Sequence, residues 1–502
     1  MTLTIDEMAT FCKRKGLVYP NSELYGGLAG VFDYGPLGAE LKRNLMREWW
    51  RFFVQQREDI AGIDGAILAH PKVWVASGHV QNFTDPMLEC PKCGEKQRAD
   101  HFIETATGKS ADGLSRKELA AMAKELRCPR CSSPWKELGA FNMMFATHVG
   151  PVRDDASVAY LRPETAQLMF ADFRLVAENA RLKLPFGIAQ MGKAFRNEIA
   201  PRNFLFRCRE FEQMEIEYFI HPKQLMECPY VGEVEKLRML VYSAEMQKSQ
   251  RDASEMSLGD AVTQGTIKTP WHAYWLGKTF AWFTALGANA AKFRIRQHLP
   301  EELSHYALDT WDLEYAFPFG WKELQGIANR GDYDLKQHME FSGKDLSLFD
   351  EASKERVIPH VVAEPSLGVD RSFLVFLYDA YDDDKKRGNV VLHLHPRLAP
   401  VQCAVFPLLS NRPELVEKAR TVYLLLREEF SCVFDRAGSI GRRYARQDEQ
   451  GTPWCVTVDF DSLQNDDVTI RDRDSTEQKR VPVARLAETV RALVRGKPFS
   501  GL

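Results

Sequence analysis

Polar and apolar residues alternate along Gln213–Tyr218: Met214, Ile216 and Tyr218 are apolar, and Gln213, Glu215 and Glu217 stand between them. A period of two predicts a half-buried strand. The residues just before it, FRNEIAPRNFLFRCRE from Phe195 to Glu210, break that pattern. They set Arg196, Arg202, Arg207 and Arg209 among Glu198 and Glu210. Two strands flanking an arginine-rich loop are the expected arrangement. Arginines on a rigid sheet suit a polyphosphate, because a guanidinium binds oxyanions through paired hydrogen bonds and keeps its charge. A surface hairpin laced with ion pairs is the plain alternative.

Elsewhere the pattern changes period. Residues 5–16 predict a short helix. DYGPLG (33–38) is turn chemistry, and Leu41, Leu45, Met46, Trp49, Trp50 and Phe53 then recur at helical spacing. Ile60 to Leu68 predicts a strand that ends before Pro71. From 222 to 310 the pattern is weaker. Helices over 230–253 and 277–298 are expected there, as an elaboration of the main sheet, with Lys292, Arg294 and Arg296 facing phosphate or solvent. Residues 311–371 return to strands. An apolar run from Val357 to Ala363, a glycine-bearing turn and the helix SFLVFLYDAY close this part.

After HPRLAP (395–400) a new alternation begins. QCAVFPLL predicts a strand, and Leu415, Ala419, Val422, Leu426 and Phe430 form a helix stripe. SCVFD, PWCVTVDFD and DVTIRDRDS predict further strands, and 482–495 a last helix. That order predicts a small α/β domain over 400–502 with a mixed sheet. Arg442, Arg443 and Arg446 are candidates for RNA phosphates, and Arg471 and Arg473 for bases. A solvated surface is the alternative for each.

Residues 86–139 look inserted. CPKC (90–93) and CPRC (128–131) bracket a polar segment with one expected helix, SRKELAAMAKELR. Two Cys-x-x-Cys knuckles at this separation fit a tetrahedral zinc held by Cys90, Cys93, Cys128 and Cys131. Four thiolates leave no open position for water, so the metal's role is structural. Four unligated cysteines in a loop are the alternative.

Composition adds limits. A chain of 502 residues has room for two to four domains. With 66 basic against 69 acidic residues, any nucleic acid must be met by local patches and not by net charge. The first residues lack the apolar stretch of a signal peptide, and no segment approaches a membrane span. Ten cysteines in that setting point to a reducing, cytoplasmic location.

The arginine-rich segment resembles motif 2 of the class II aminoacyl-tRNA synthetases. Its longer wording, FRNEIAPRNFLFRCREFEQMEIEYF, is similar to the dimeric type of glycyl-tRNA synthetase, a class IIa family. YGPLGAELKRNLMREWW, LRPETAQLMF, FGIAQMGKAFRNE, ELQGIANRGDYDL, EPSLGVDR and GTPWCVTVDFD carry the same resemblance in the family's order, over nearly the whole chain. It implies an α/β (α+β) fold: a class II antiparallel β-sheet core flanked by helices (1–85 and 140–399), the zinc-binding insert, and a C-terminal anticodon-binding domain. Motif 1 falls at about 34–71, motif 2 at 195–219 and motif 3 at 357–380. Motif 1 forms the homodimer interface in that family. Two positions depart from familiar patterns: Ser366 stands where the general class motif has glycine, as it does in the resembled family, and Leu367 stands where that family has a very small residue. Family members differ in the insert, so the zinc rests on the cysteines of this chain.

The resemblance further implies the chemistry. Glycine attacks the α-phosphate of ATP, and tRNA(Gly) then takes the glycyl group. Arg196 would hold the α-phosphate, and Arg207 and Arg371 the outer phosphates. Phe211 would stack on adenine beneath Arg371, and Glu198 would read its amino group. Asn197, Phe206, Leu324, Gly368 and Asp370 complete the implied ATP site, and Glu323 would ligate Mg2+ or lie along the nucleotide. Glu164, Glu215 and Glu364 would hold the glycine ammonium, with Gln213 and Ser366 beside the α-carbon. Arg98 and Arg330 would orient the substrate carboxylate or the neighbouring acids. Two other readings remain: a non-catalytic synthetase-like protein that binds nucleic acid or assists a polymerase, and an enzyme that adenylates glycine or another small acid for a different acceptor. The motif arginines argue against the first, and the C-terminal domain against the second.

Overall fold

The structure is a computed structural model that describes residues 3–109, 111, 114–154 and 157–502. The first two residues of the N-terminal segment and residues 110, 112 and 113 of the expected insert lie outside that set.

A nine-stranded sheet organises the larger part of the chain. Its order is Ser254–Ser257, Arg238–Tyr242, Phe293–Gln297, Asp309–Phe317, Gly320–Asn329, His360–Gly368, Glu210–Ile220, Phe186–Phe195 and Ile60–Ile63. Two neighbouring pairs are parallel, Phe186–Phe195 with Ile60–Ile63 and Arg238–Tyr242 with Phe293–Gln297, and the others are antiparallel. The period of two divides the strand Glu210–Ile220 into two faces. Met214, Ile216 and Tyr218 enter the main core with Leu41, Leu45, Trp49, Trp271 and Trp275. Gln213, Glu215 and Glu217 alternate with them and are buried too. The sheet therefore carries apolar residues on one face and buried polar groups on the other, and the polar face holds the site.

The helix Pro36–Trp50 begins with Pro at its first turn, where a missing N–H costs nothing. Gly38 is required by contact: a Cβ there would lie 1.8 Å from the Leu17 carbonyl oxygen. Trp49 and Phe53 pack on the apolar core, where Phe53 meets Trp275 and Trp282 of the helix Pro270–Ala285. Each fully buried aromatic side chain of this kind contributes about 1.5–3 kcal/mol.

Several expectations are corrected. No long helix spans 230–253: Arg238–Tyr242 is a strand that buries Met239 and Val241 between exposed or half-buried neighbours. The helix expected over 277–298 is Pro270–Ala285, and Phe293–Gln297 is a strand in which Phe293, Ile295 and Gln297 point inward. Phe293–Gln297 alternates, but its five residues follow the apolar helix Pro270–Ala285 closely, and the unbroken apolar run Met239–Tyr242 fits helix or strand equally well. Ile60–Leu68 is not one strand. Ile60–Ile63 stops at Asp64-Gly65, where Gly65 N–H donates to the Gln190 side chain at 2.8 Å. Leu68–Ala69 then joins a separate three-stranded sheet.

The insert has its own three-stranded sheet, Lys96–Arg98, Thr84–Glu89 and Gly139–Asn142, and two helices where one was expected, Ala99–Thr107 and Arg116–Glu125. The C-terminal sheet orders Cys432–Phe434, Cys403–Pro407, Trp454–Val458, Asp467–Asp472 and Gln478–Pro482, with its own core around Leu415, Val422, Val456 and Leu486. Its arginines are largely spent within the fold. Arg471 is buried on Asp448 at 2.9 Å, and Arg473 is buried on the Leu394 and Gly451 carbonyls, so neither faces a base. Arg443 is buried on the Pro407 carbonyl and Arg446 pairs with Asp435, while Arg442 is exposed. Lys292, Arg294 and Arg296 likewise pair with Asp379, Glu314 and Glu302. Among the described residues no helix is long and apolar enough to cross a membrane.

Candidate active site

Three sequence-distant segments meet at Asp370, in the first turn of the helix Val369–Ala380. Its carboxylate accepts the Glu212 N–H at 2.9 Å and the Tyr34 hydroxyl. Asp370 thus ties the segment after the Asp33 turn, the arginine-rich strand pair and the strand–turn–helix unit together. Beside it opens a cleft of about 190 Å3. Arg196, Glu198 and Arg207 line it from one hairpin, with Phe206, Phe211 and Gln213. Glu323, Leu324, Ser366, Gly368 and Arg371 line it from the neighbouring strands and helix. Asn197 is not in this lining; its N–H donates to the Met143 carbonyl at 2.8 Å. Leu205 and Cys208 are lining residues with no periodicity to announce them.

The cations of the cleft are held from behind. Arg196 Nε donates to the Pro163 carbonyl at 3.0 Å, and its guanidinium lies 5.2 Å from the Phe211 ring centre. Arg371 covers Phe206 at 4.4 Å and donates to the Phe206 and Glu323 carbonyls at 3.2 and 2.9 Å. Glu198 is buried, and its Oε2 has no hydrogen-bond partner, with Arg207 Nε 3.7 Å away. Burial lowers Arg207 below the usual arginine value although Glu198 raises it. The result is a pocket with cationic walls and an aromatic floor, the chemistry a purine nucleotide with phosphates requires.

Farther along the same sheet face the charge reverses. Register places Glu215 opposite Ser366, and Gly326 opposite Ser366 on its other side. Gln213 Nε2 donates to Ser366 Oγ at 3.1 Å, and the Thr165 N–H and hydroxyl donate to Glu215. Glu364 accepts from Arg330 Nη1 at 2.6 Å. Arg330, fully buried, also donates twice to Asp334 at 2.7 Å and lies 3.7 Å from the Tyr306 ring centre. Glu164 meets His79 at 3.2 Å and Gln167 at 3.1 Å. Glu217 is buried with neither carboxylate oxygen partnered.

Four glutamates and Asp334 thus share one arginine and one imidazole. Burial pushes Glu364 and Glu217 well above the usual carboxylate range, Arg330 notwithstanding for Glu364, and Glu364 adds to the effect on Glu217. Burial and the charge of Glu164 raise Glu215. Burial would raise Glu164 as well, but His79 overcomes it and holds that carboxyl below the usual range. An acidic pocket of this kind can hold a small cation. Arg98 does not join this group. It is bound to Asp85 and Asp100, each at 2.9 Å.

Two metals are implied, and both donor sets fit. The Cys90 and Cys131 sulfurs are 3.4 Å apart and those of Cys93 and Cys128 3.6 Å, with all four within 4.8 Å of one another. A tetrahedral zinc with bonds of about 2.3 Å sets its sulfurs about 3.8 Å apart. For magnesium, Glu323 Oε1 and Asp312 Oδ1 converge over Gly326, 3.8 and 3.6 Å from where its Cβ would be. Asp312 Oδ1 is buried without a partner. Two carboxylates at this spacing suit an octahedral cation that completes its shell with other oxygens and waters.

His79, Thr165, Gln167, Tyr306, Asp312 and Asp334 were not foreseen. His79, Thr165, Tyr306 and Asp312 meet partners from other segments, whereas Gln167 and Asp334 pair with Glu164 and Arg330 three and four residues away; the runs LRPETAQ and ELQGIANRGDYDL carried the signal, but only Glu164, Glu323, Leu324 and Arg330 were read from them.

The family description "tRNA synthetase class II core domain (G, H, P, S and T)" matches residues 151–380, and "Anticodon binding domain" matches 402–493. A solved structure of prolyl-tRNA synthetase from Cryptosporidium parvum, complexed with halofuginone and AMPPNP, shares the fold. Its TM-score is 0.56 at 13% identity, over 98% of this chain and 77% of that one. Curated proteins named Glycine--tRNA ligase align almost end to end. That of Caldanaerobacter subterraneus subsp. tengcongensis is 45% identical over 96% of both chains. That of Thermobifida fusca is 45% identical over 95% of this chain and 96% of its own, and that of Streptomyces coelicolor 46% over 95% of both. The chain belongs to the glycine--tRNA ligase family of class II synthetases.

Proposed function

We propose that this enzyme activates glycine with ATP and transfers it to the 3′ end of tRNA(Gly). The observation that carries the reading is the junction of a cationic, aromatic cleft with a buried acidic pocket on one sheet face, meeting at Ser366 and Gln213. ATP occupies the first and the glycine ammonium the second. The glycine carboxylate oxygen attacks the α-phosphorus, the bond to the β-phosphate oxygen breaks, and pyrophosphate leaves. The tRNA ribose hydroxyl then attacks the adenylate carbonyl, and AMP leaves. The protein forms no covalent bond; it aligns the reactants and neutralises charge. Arg196 serves the α-phosphate, and Arg207 and Arg371 the outer phosphates. Magnesium on Glu323 and Asp312, when bound, neutralises phosphate charge there. The C-terminal domain meets the anticodon, motif 1 pairs two subunits in a homodimer, and the enzyme works in the cytoplasm. The retained arginines and acids leave the non-catalytic reading without support. Charging of a tRNA(Gly) transcript with labelled glycine tests the function: acid-precipitable label is expected, and its absence from folded protein overturns the reading.

Selection of glycine needs no separate editing site, because a larger side chain clashes whereas a smaller one merely fits loosely. Ser366 closes the space beside the α-carbon, hydrogen-bonded to Gln213. Ser366→Ala is expected to lower the preference for glycine over alanine or serine by about tenfold in ATP–pyrophosphate exchange. An unchanged ratio would move the pocket elsewhere.

Zinc is structural in this reading. Metal analysis is expected to find about one zinc per chain, and Cys128→Ser to lose it and open the insert to protease. A full-length, metal-free and protease-resistant protein would contradict the assignment.

A further inference from the structure

We propose that His101, carried by the insert, is a positioning residue that holds Arg207 ready for the outer phosphates of ATP. The proposal rests on the reading of Arg207 given above. The insert and the arginine-rich loop are separated by about a hundred residues, yet they meet here: His101 Nε2 lies 3.1 Å from Arg207 Nη1. A guanidinium only donates, so Nε2 accepts and the ring proton sits on Nδ1. That nitrogen is buried and unpartnered, which leaves the imidazole a single polar contact, Arg207. Burial, together with Arg98, Arg202 and Arg207 and in spite of Asp100, pushes His101 down to about 3. The ring is therefore neutral, and its free lone pair is available to the guanidinium.

The imidazole is itself fixed by the fold. Arg98 ends the strand Lys96–Arg98, paired with Met87 across the hairpin, and the helix Ala99–Thr107 starts at the next residue. Arg98 is bound to both Asp85 and Asp100, and Asp100 accepts the His101 N–H at 2.8 Å. The strand begins three residues after Cys93, so the first cysteine knuckle leads straight into this cradle.

Arg207 is held at two edges, Nη1 by His101 and Nε near Glu198 at 3.7 Å. Its Nη2 has no hydrogen-bond partner among the described residues, and the side chain lines the cleft. A long side chain restrained in this way loses less freedom when a phosphate binds. His101 reaches no reacting atom; it acts through Arg207.

The test compares His101→Leu with His101→Gln in glycine-dependent ATP–pyrophosphate exchange on the full chain. Glutamine can place an amide oxygen where Nε2 stands, and leucine cannot. His101→Leu is expected to raise KM for ATP about tenfold, the worth of one charge-assisted hydrogen bond, with KM for glycine unchanged. His101→Gln is expected to stay within about twofold of the parent by the same measure. A double-mutant cycle guards against a merely structural effect: in an Arg207→Ala background, His101→Leu is expected to add nothing. An unchanged KM for ATP, an equal shift in both substrates, no recovery with glutamine, or an additive loss beside Arg207→Ala each overturns the proposal. These failures are distinct from failure of the functional reading, in which the parent protein itself would show no exchange with glycine.

Discussion

Arg196→Ala is expected to abolish glycyl-adenylate formation, by about a thousandfold or more in ATP–pyrophosphate exchange, with the fold intact. The residue follows the strand Phe186–Phe195 and lies in the cleft between Phe83 and Phe211, at 5.5 and 5.2 Å from their ring centres. Its Nε is fixed to the Pro163 carbonyl, which aims the rest of the guanidinium into the cleft. In-line displacement at phosphorus concentrates charge on oxygens that only such a preorganised donor meets without reorganisation. The structural loss is small: one hydrogen bond of a half-buried side chain is worth about 1 kcal/mol. Loss of exchange with an unchanged unfolding temperature is therefore the expected pair of results. Normal exchange in the variant would refute the α-phosphate role.

Arg330→Met is expected to act in the opposite way, mainly through stability. Arg330 is about 1% exposed and donates to Asp334 and Glu364, with Glu217 and Glu215 nearby. Removing it strands buried acids without their counter-charge, a loss of about 3–5 kcal/mol. Protonated carboxyls need no counter-charge, so the deficit is expected to shrink in mild acid and grow above neutral pH. Calorimetry across pH checks this. A variant as stable as its parent at every pH would mean that the acid cluster is not held by Arg330.

The legible parts of this chain are those whose signal is local. The strand Glu210–Ile220 could be read because its period of two runs through Met214, Ile216 and Tyr218, and the helix Pro36–Trp50 because an apolar stripe follows a proline turn. The cysteine knuckles declared themselves by spacing, and their sulfurs converge. The same local logic failed at Arg238–Tyr242, where a five-residue strand is stabilised by neighbours on both sides and not by its own pattern. It also failed for Arg471 and Arg473, whose charge suggested solvent or RNA but is consumed by Asp448 and by backbone carbonyls. Of the site, Arg196, Glu198, Arg207, Phe211, Glu323 and Arg371 were named from the resemblance, and they share one cleft. The supports of the acidic pocket and of Arg207, namely His79, Thr165 and His101, were not legible, since each works on a partner supplied by another part of the chain.

The central claim is that the acidic pocket selects glycine and presents it to ATP in the adjoining cleft. Amino-acid-dependent ATP–pyrophosphate exchange, run separately with each of the twenty amino acids on folded, zinc-loaded protein, tests it most directly. Exchange with glycine alone is the predicted result. Exchange with none of them, or equally well with larger amino acids, would contradict the account.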